Sequence, residues 1–280
     1  MSDALPPAPI IAPHPAIAAA AAPPAATTIT TPSDGLAIER LTIPVPGGQL
    51  PLYAARPTGV EHPPVILVVH EIFGVHAHIA DVVRRFAKAG YLAVAPELFF
   101  RRGDPGTAPT VETLRTQFVA PTPDAQVLAD LDAARAWALT LGGDGSRVSI
   151  TGFCWGGRIT WLYAAHRQDL KAGVAWYGRL GGPSTPEQPL HPTALAGQLR
   201  APVLGLYGGA DTGIPTDQVT AFNALLTPAG HSRIKVFPNA PHAFFADYRP
   251  SYRPEAAGEA WTDALAWLIA HGAQEVAAPR

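Results

Sequence analysis

Only one cysteine, Cys154, occurs in the 280-residue chain. An intramolecular disulfide framework and a cysteine-built zinc cluster are therefore excluded, and a lone thiol suits a reducing compartment. Charge is also sparse: 20 Lys and Arg face 22 Asp and Glu, a net −2 with no block of either sign. That excludes the electrostatic footprint of a nucleic-acid binder and a polybasic membrane patch. No stretch approaches the ~18–20 uninterrupted apolar residues of a spanning helix, so a soluble protein is expected. With 48% hydrophobic residues and 15% charged ones, the chain can bury a sizeable core.

Residues 1–33 hold 11 Ala and 8 Pro, no Lys or Arg, and no sustained helical or strand period. Such a stretch cannot bury a packed face, so residues 1–34 are expected to form a disordered leader. A secretory signal needs a basic start, and the first Lys or Arg is Arg40. A cytoplasmic location is expected.

Beyond residue 35 short β-rich runs alternate with longer amphipathic ones. Val65 to Val69 is a continuous run that reads as a strand buried on both faces. Ile79, Val82, Val83 and Phe86 then fall on one helical face that closes at Gly90. The same reading gives strands at 91–95, 147–151, 171–176, 202–207 and 233–237, and helices at 124–140, 156–166, 216–227 and 255–271. A long loop separates 95 from 124, of the kind often functional or lid-like. Strand and helix alternation implies an α/β fold, one domain over 35–280 with a mainly parallel sheet covered by helices on both faces.

The strongest chemical signal is Gly152-Phe153-Cys154-Trp155-Gly156-Gly157, between a predicted strand and a predicted helix. It has the G-x-S-x-G nucleophile-elbow pattern with Cys for Ser. The glycines leave room for a strained turn, and the following helix presents its positive end to the sulfur. An elbow needs an acid and a base later in the chain, in that order. Asp211 and His242 each follow a predicted strand, at the sheet edge where open α/β folds place their sites. His242 would take the thiol proton and Asp211 would hold the other ring nitrogen. A tetrahedral oxyanion needs two backbone donors, for which the Trp155 and Ile72 amides are candidates. His70-Glu71 is not a zinc-protease motif, because the next histidine, His76, follows at H-E-x₄-H. Glu71, at the mouth of a strand, could share a proton with the thiol.

Together these segments resemble the dienelactone hydrolase family of the α/β-hydrolase superfamily. The resemblance spans residues 45–272 and rests on His70 to Gly74, Ala95 to Phe99, Gly152 to Gly157, Ala175 to Gly178, and Gly209 to Asp211 with Ile214-Pro215. It implies a Cys154, His242 and Asp211 triad and no cofactor. It also implies a Glu71 that pairs with the resting cysteine and assists its activation. Among substrate-binding residues it implies Arg101, where the family places a carboxylate-binding arginine; Tyr177 and Trp155 are further candidates. A second arginine is expected four residues after the catalytic histidine, and this chain has Ala246 there. Arg249 and Arg253 lie nearby without a clear alignment, and Trp155 and Trp176 suggest a roomy aromatic pocket. The expected activity is opening of a dienelactone-type lactone or a small ester through a thioester. The alternatives are a carboxylesterase or thioesterase for uncharged acyl groups, and a non-catalytic scaffold of the same fold. The partner is a small molecule, and the protein is expected to be a monomer or dimer.

Overall fold

The computed structural model describes residues 27–226 and 231–273. Two antiparallel strands open the domain, β1 (Leu36–Val45) and β2 (Gly48–Pro57). The sequence pattern did not disclose them. Their apolar alternation is weak, and Pro44, Pro51 and Pro57 demote a strand reading. What could have found them is the turn: Pro46 followed by Gly47, whose φ of +84° is one that glycine tolerates in a type II hairpin.

The alternating units follow. They comprise β3 (Pro64–Val69), α1 (Ala77–Lys88), β4 (Leu92–Pro96), α2 (Asp124–Thr140), β5 (Asp144–Phe153), α3 (Trp155–His166), β6 (Ala172–Trp176), β7 (Val203–Gly208), α4 (Thr216–Leu226), β8 (Arg233–Phe237) and α5 (Pro254–Ala270). Every residue of β3, β4, β6 and β7 is buried, which is why these strands read as unbroken apolar runs. The expected loop between β4 and α2 folds into short helical turns that bury Leu114 and Phe118.

The eight strands are ordered β1-β2-β4-β3-β5-β6-β7-β8, with β3 to β8 parallel. The chain moves outward from β3 to β4 and then returns across β3 to β5. Strand order therefore reverses at β3 and β5, where loops diverge and leave a crevice at the carboxyl ends. Register aligns those ends: Val69 faces Gly152, Phe153 faces Trp176, Trp176 faces Leu206 and Gly208 faces Phe237. The loops bearing Glu71, Cys154, Tyr177, Asp211 and His242 thus leave the sheet side by side.

The last part of the expected leader is ordered. Thr31 donates its backbone N–H to Asp81 of α1 at 2.6 Å, and Thr27 donates its hydroxyl to the Asp247 carbonyl at 2.7 Å. The rest of the expected disordered stretch, residues 1–26, lies outside the described residues.

Around Cys154 backbone meets backbone with no room for a side chain. A Cβ on Gly156 would lie 2.4 Å from the Val69 carbonyl oxygen and 2.6 Å from that of His70. Gly156→Ala is therefore expected to cost at least about 2 kcal/mol of stability, the range of core overpacking, read as a lowered urea midpoint. An unchanged midpoint would contradict this packing.

Candidate active site

Cys154 is the residue between β5 and α3, and its φ of +55° and ψ of −111° place it in a region that side chains rarely adopt. Its N–H donates to the Trp176 carbonyl at 3.0 Å, tying the turn to β6. Trp155 is the first residue of α3, so its amide has no acceptor four residues back within the helix. Ile72 is in the turn directly after β3, beside the crevice.

Asp211 and His242 come together as the spacing predicted. The two loops are joined by Ala210 N–H donating to the Ala240 carbonyl at 3.0 Å. His242 Nδ1 and Asp211 Oδ2 are 2.7 Å apart, and Asp211 Oδ1 accepts from the Gly213 amide at 2.8 Å. Asp211 can only accept, so Nδ1 carries the proton. On the other side His242 faces the charge of Cys154. Burial alone lowers the His242 pKa. The charge of Cys154, the hydrogen bond donated to Asp211 and the charge of Asp211 outweigh it and carry the ring up to about 10.

Glu71 is buried, and its contacts are with other residues than the resemblance implied. Its Oε2 accepts from the Tyr248 hydroxyl at 2.6 Å and lies 3.5 Å from His76 Nε2, while Oε1 lies 3.8 Å from Arg249 Nη1. Burial pushes the Glu71 carboxyl up, but His76, Arg249 and His78 together hold it below the usual carboxylate range. Burial also pushes His76 down. Tyr177, with φ +37°, is buried with its ring 5.2 Å from that of His242. Its hydroxyl has no hydrogen-bond partner among the described residues. Burial, with the charges of Glu71 and Cys154, raises the Tyr177 pKa well above its usual value, so it remains a donor.

Arg101 is not in this cluster. Both arms of its guanidinium go to Asp130, at 2.6 and 2.9 Å, and Nε and Nη2 also donate to the Pro46 carbonyl. The planar fork is engaged with a buried carboxylate rather than with any residue of the cluster. Arg249, which has no clear alignment from the sequence, stands by this cluster, and its charge acts on Glu71, Tyr248, Cys154 and Tyr177. Trp176 donates to Thr151 Oγ1 in the core, and Trp155 packs on His70 and Phe99. His70 fixes the first loop, bonding the Glu71 carbonyl through Nδ1 at 2.5 Å and accepting from the Leu98 amide at Nε2.

The His242 value gives a pH dependence. An unfolded histidine titrates near ~6.5, and the folded ring near 10, so folding favours the protonated form. The stabilisation is fully present below about pH 6.5 and is lost as pH rises through about 10. The stability difference between wild type and His242→Gln is therefore expected to shrink between pH 6.5 and 10 in urea titrations. A difference that grows with pH would contradict the raised value.

The sequence profile of the Dienelactone hydrolase family matches residues 50–272. A Salmonella typhimurium protein named "Putative carboxymethylenebutenolidase" is 51% identical over 94% of this chain and 98% of its own. A Bradyrhizobium protein named "Probable 2-oxo-3-(5-oxofuran-2-ylidene)propanoate lactonase" is 30% identical over 85% of this chain and 96% of its own. The crystal structure titled "Putative Dienelactone Hydrolase" from Klebsiella pneumoniae is 51% identical and superposes with a TM-score of 0.82, covering 84% of this chain and 99% of that one. The chain belongs to the dienelactone hydrolase family and has the α/β-hydrolase fold.

Proposed function

We propose that the protein is a cysteine hydrolase that opens a carboxylate-bearing enol lactone through a thioester, with Cys154 as nucleophile, His242 as acid and base, and Asp211 as orienting carboxylate. The observation that carries this reading is Cys154 on a positive-φ turn, electrostatically coupled to a histidine that Asp211 holds at 2.7 Å. The sulfur attacks the lactone carbonyl carbon, a C–S bond forms, and the carbonyl π pair moves onto oxygen, where the Ile72 and Trp155 amides are the candidate donors. As the carbonyl re-forms, the ring C–O bond breaks and protonated His242 gives its Nε2 proton to the departing oxygen. His242 then takes a proton from water, the hydroxide adds to the thioester, and the C–S bond breaks. The net change is addition of one water, giving a ring-opened acid and the starting enzyme.

Arg249 supports the carboxylate in the substrate. It lies against Glu71 at 3.8 Å, too long for a spent bidentate pair, with its guanidinium 5.6 Å from the Phe73 ring centroid. A substrate carboxylate entering there would compete with Glu71 for Arg249. The Bradyrhizobium relative is named for a propanoate that carries such a lactone ring. A second reading, hydrolysis of neutral esters, draws on the commitment of Arg101 to Asp130, which leaves one arginine where two were expected.

The test is ultraviolet decay of cis- and trans-dienelactone beside hydrolysis of a neutral aryl ester. Cys154→Ala is expected to abolish both with the fold retained, and full activity in it would overturn the mechanism. Arg249→Met is expected to raise KM for the lactone roughly ten- to hundredfold, the worth of a charged hydrogen bond, and to leave KM for the ester unchanged. Arg101→Met is expected to lower stability, since it strands the buried Asp130, and to leave KM for the lactone unchanged. No lactone decay with cysteine-dependent ester cleavage would establish the second reading instead. Glu71→Gln is expected to slow turnover far less than His242→Ala, and equal losses would contradict the subsidiary role given to Glu71.

A further inference from the structure

A second set of charges runs from Glu71 away from Cys154. Tyr248 and Arg249, which contact Glu71, follow directly on Asp247, and Asp247 is 1% exposed. One carboxylate oxygen of Asp247 accepts from Arg85 of α1, and the other lies 3.3 Å from His78 Nδ1 in the first turn of the same helix. Arg85 Nε also reaches Asp81 at 2.7 Å, and Arg84 Nη2 reaches the other Asp81 oxygen at 2.7 Å. Two carboxylates and two guanidiniums thus balance in a largely buried chain.

The segment Thr27–Thr31 closes this chain from outside. Thr31 gives Asp81 its N–H at 2.6 Å and its hydroxyl at 3.1 Å, and its carbonyl accepts from Arg84 Nε at 3.0 Å. Thr27 gives its hydroxyl to the Asp247 carbonyl at 2.7 Å. The segment therefore bridges α1, which begins just after the Glu71 loop, and the loop that runs from His242 to Arg249. Buried charges are costly, and apolar packing of the same volume is often as stable. What an ionic chain adds is a fixed register between the parts it joins, because a shift leaves a buried charge unpaired.

We propose that Asp247 is a positioning residue, and that Thr27–Thr31 acting through Asp81 and Asp247 clasps the His242–Arg249 loop onto α1, setting Tyr248 and Arg249 against Glu71. The inference rests on reading Cys154, His242 and Glu71 as the reactive centre. The clasp touches none of the reacting atoms. It acts through the groups that face Glu71, namely Tyr248, Arg249, His76 and, one step further, His78.

The test uses the full-length chain. Thr31→Pro removes both Thr31 donors to Asp81 at the surface of the fold, and Asp247→Asn removes the central charge while keeping its shape. Three quantities are read for each and for the double variant: kcat and KM on a neutral aryl ester, the pH dependence of Cys154 alkylation by iodoacetamide, and the urea midpoint. Each single variant is expected to lower kcat about tenfold with KM within about threefold, the effect of a small misplacement, and to shift the alkylation profile. The double variant is expected to be no slower than Asp247→Asn alone, because both act on one element, and Asp247→Glu is expected to recover part of the loss. Should Asp247→Asn fail to fold, Thr31→Pro carries the test by itself. A wild-type alkylation profile in Thr31→Pro, or losses that multiply in the double variant, would overturn the clasp. If the wild-type chain cleaves no ester or lactone, the hydrolase reading fails, and the alkylation profiles still decide the clasp.

Discussion

Everything at the candidate site depends on a close approach of backbones around Cys154. A Cβ on Gly152 would lie 2.2 Å from the Gly156 carbonyl oxygen, one on Gly157 2.4 Å from that of Trp176, and one on Gly178 2.3 Å from the Gly157 carbonyl carbon. These contacts draw α3 against β3 and β6 at the moment the chain turns. They force Cys154 into its positive φ and point the N-terminus of α3 at the crevice. The reversal of strand order opens that crevice, and the glycines bring the sulfur to its floor. Strain at one residue is sustained because neighbouring strands over-determine it.

Two charge systems meet in the crevice. On one side Asp211, His242 and Cys154 form a chain in which burial opposes the imidazolium and two negative partners restore it. On the other, Glu71 remains an anion despite complete burial, because His76, Arg249 and His78 face it. Tyr177 stands between them, feels the charge of both, and has a hydroxyl with no partner among the described residues. The two systems differ in exposure. His242 is about one third exposed, so it can meet a substrate, whereas the Glu71 side chain is 1% exposed. This arrangement makes the first chain the one suited to bond-making and the second the one suited to sensing charge.

The sequence disclosed the parts governed by local rules. Continuous apolar runs gave the parallel strands, and the glycine pattern with the order Cys, Asp, His gave the three residues that the structure brings together. What it could not disclose depends on partners distant in the chain. Arg101 stands where the resemblance places a substrate arginine, but Asp130 and Pro46 come from elements 29 and 55 residues away. His76 and His78 carry no spacing that announces Glu71 or Asp247. The ordering of Thr27–Thr31 is equally non-local: its composition is that of a leader, and its hydrogen bonds are to residues 50 and 220 positions further on.

Arg249 shows why counting from the histidine failed. After His242 the backbone turns through Ala243, with φ +58°, and continues in successive tight turns, Ala246 N–H to Ala243 O, Arg249 N–H to Ala246 O, and Tyr252 N–H to Arg249 O. Ala246, at the expected spacing, is fully buried, where a guanidinium would be desolvated. One three-residue turn later the same face of the loop returns to the crevice, and Arg249 reaches Glu71 from there with its side chain 24% exposed. Arg249 thus stands beside the carboxylate one period of the turn beyond Ala246. A constraint in space of this kind fixes a charge and leaves its sequence position free, and only the backbone path can show which residue supplies it.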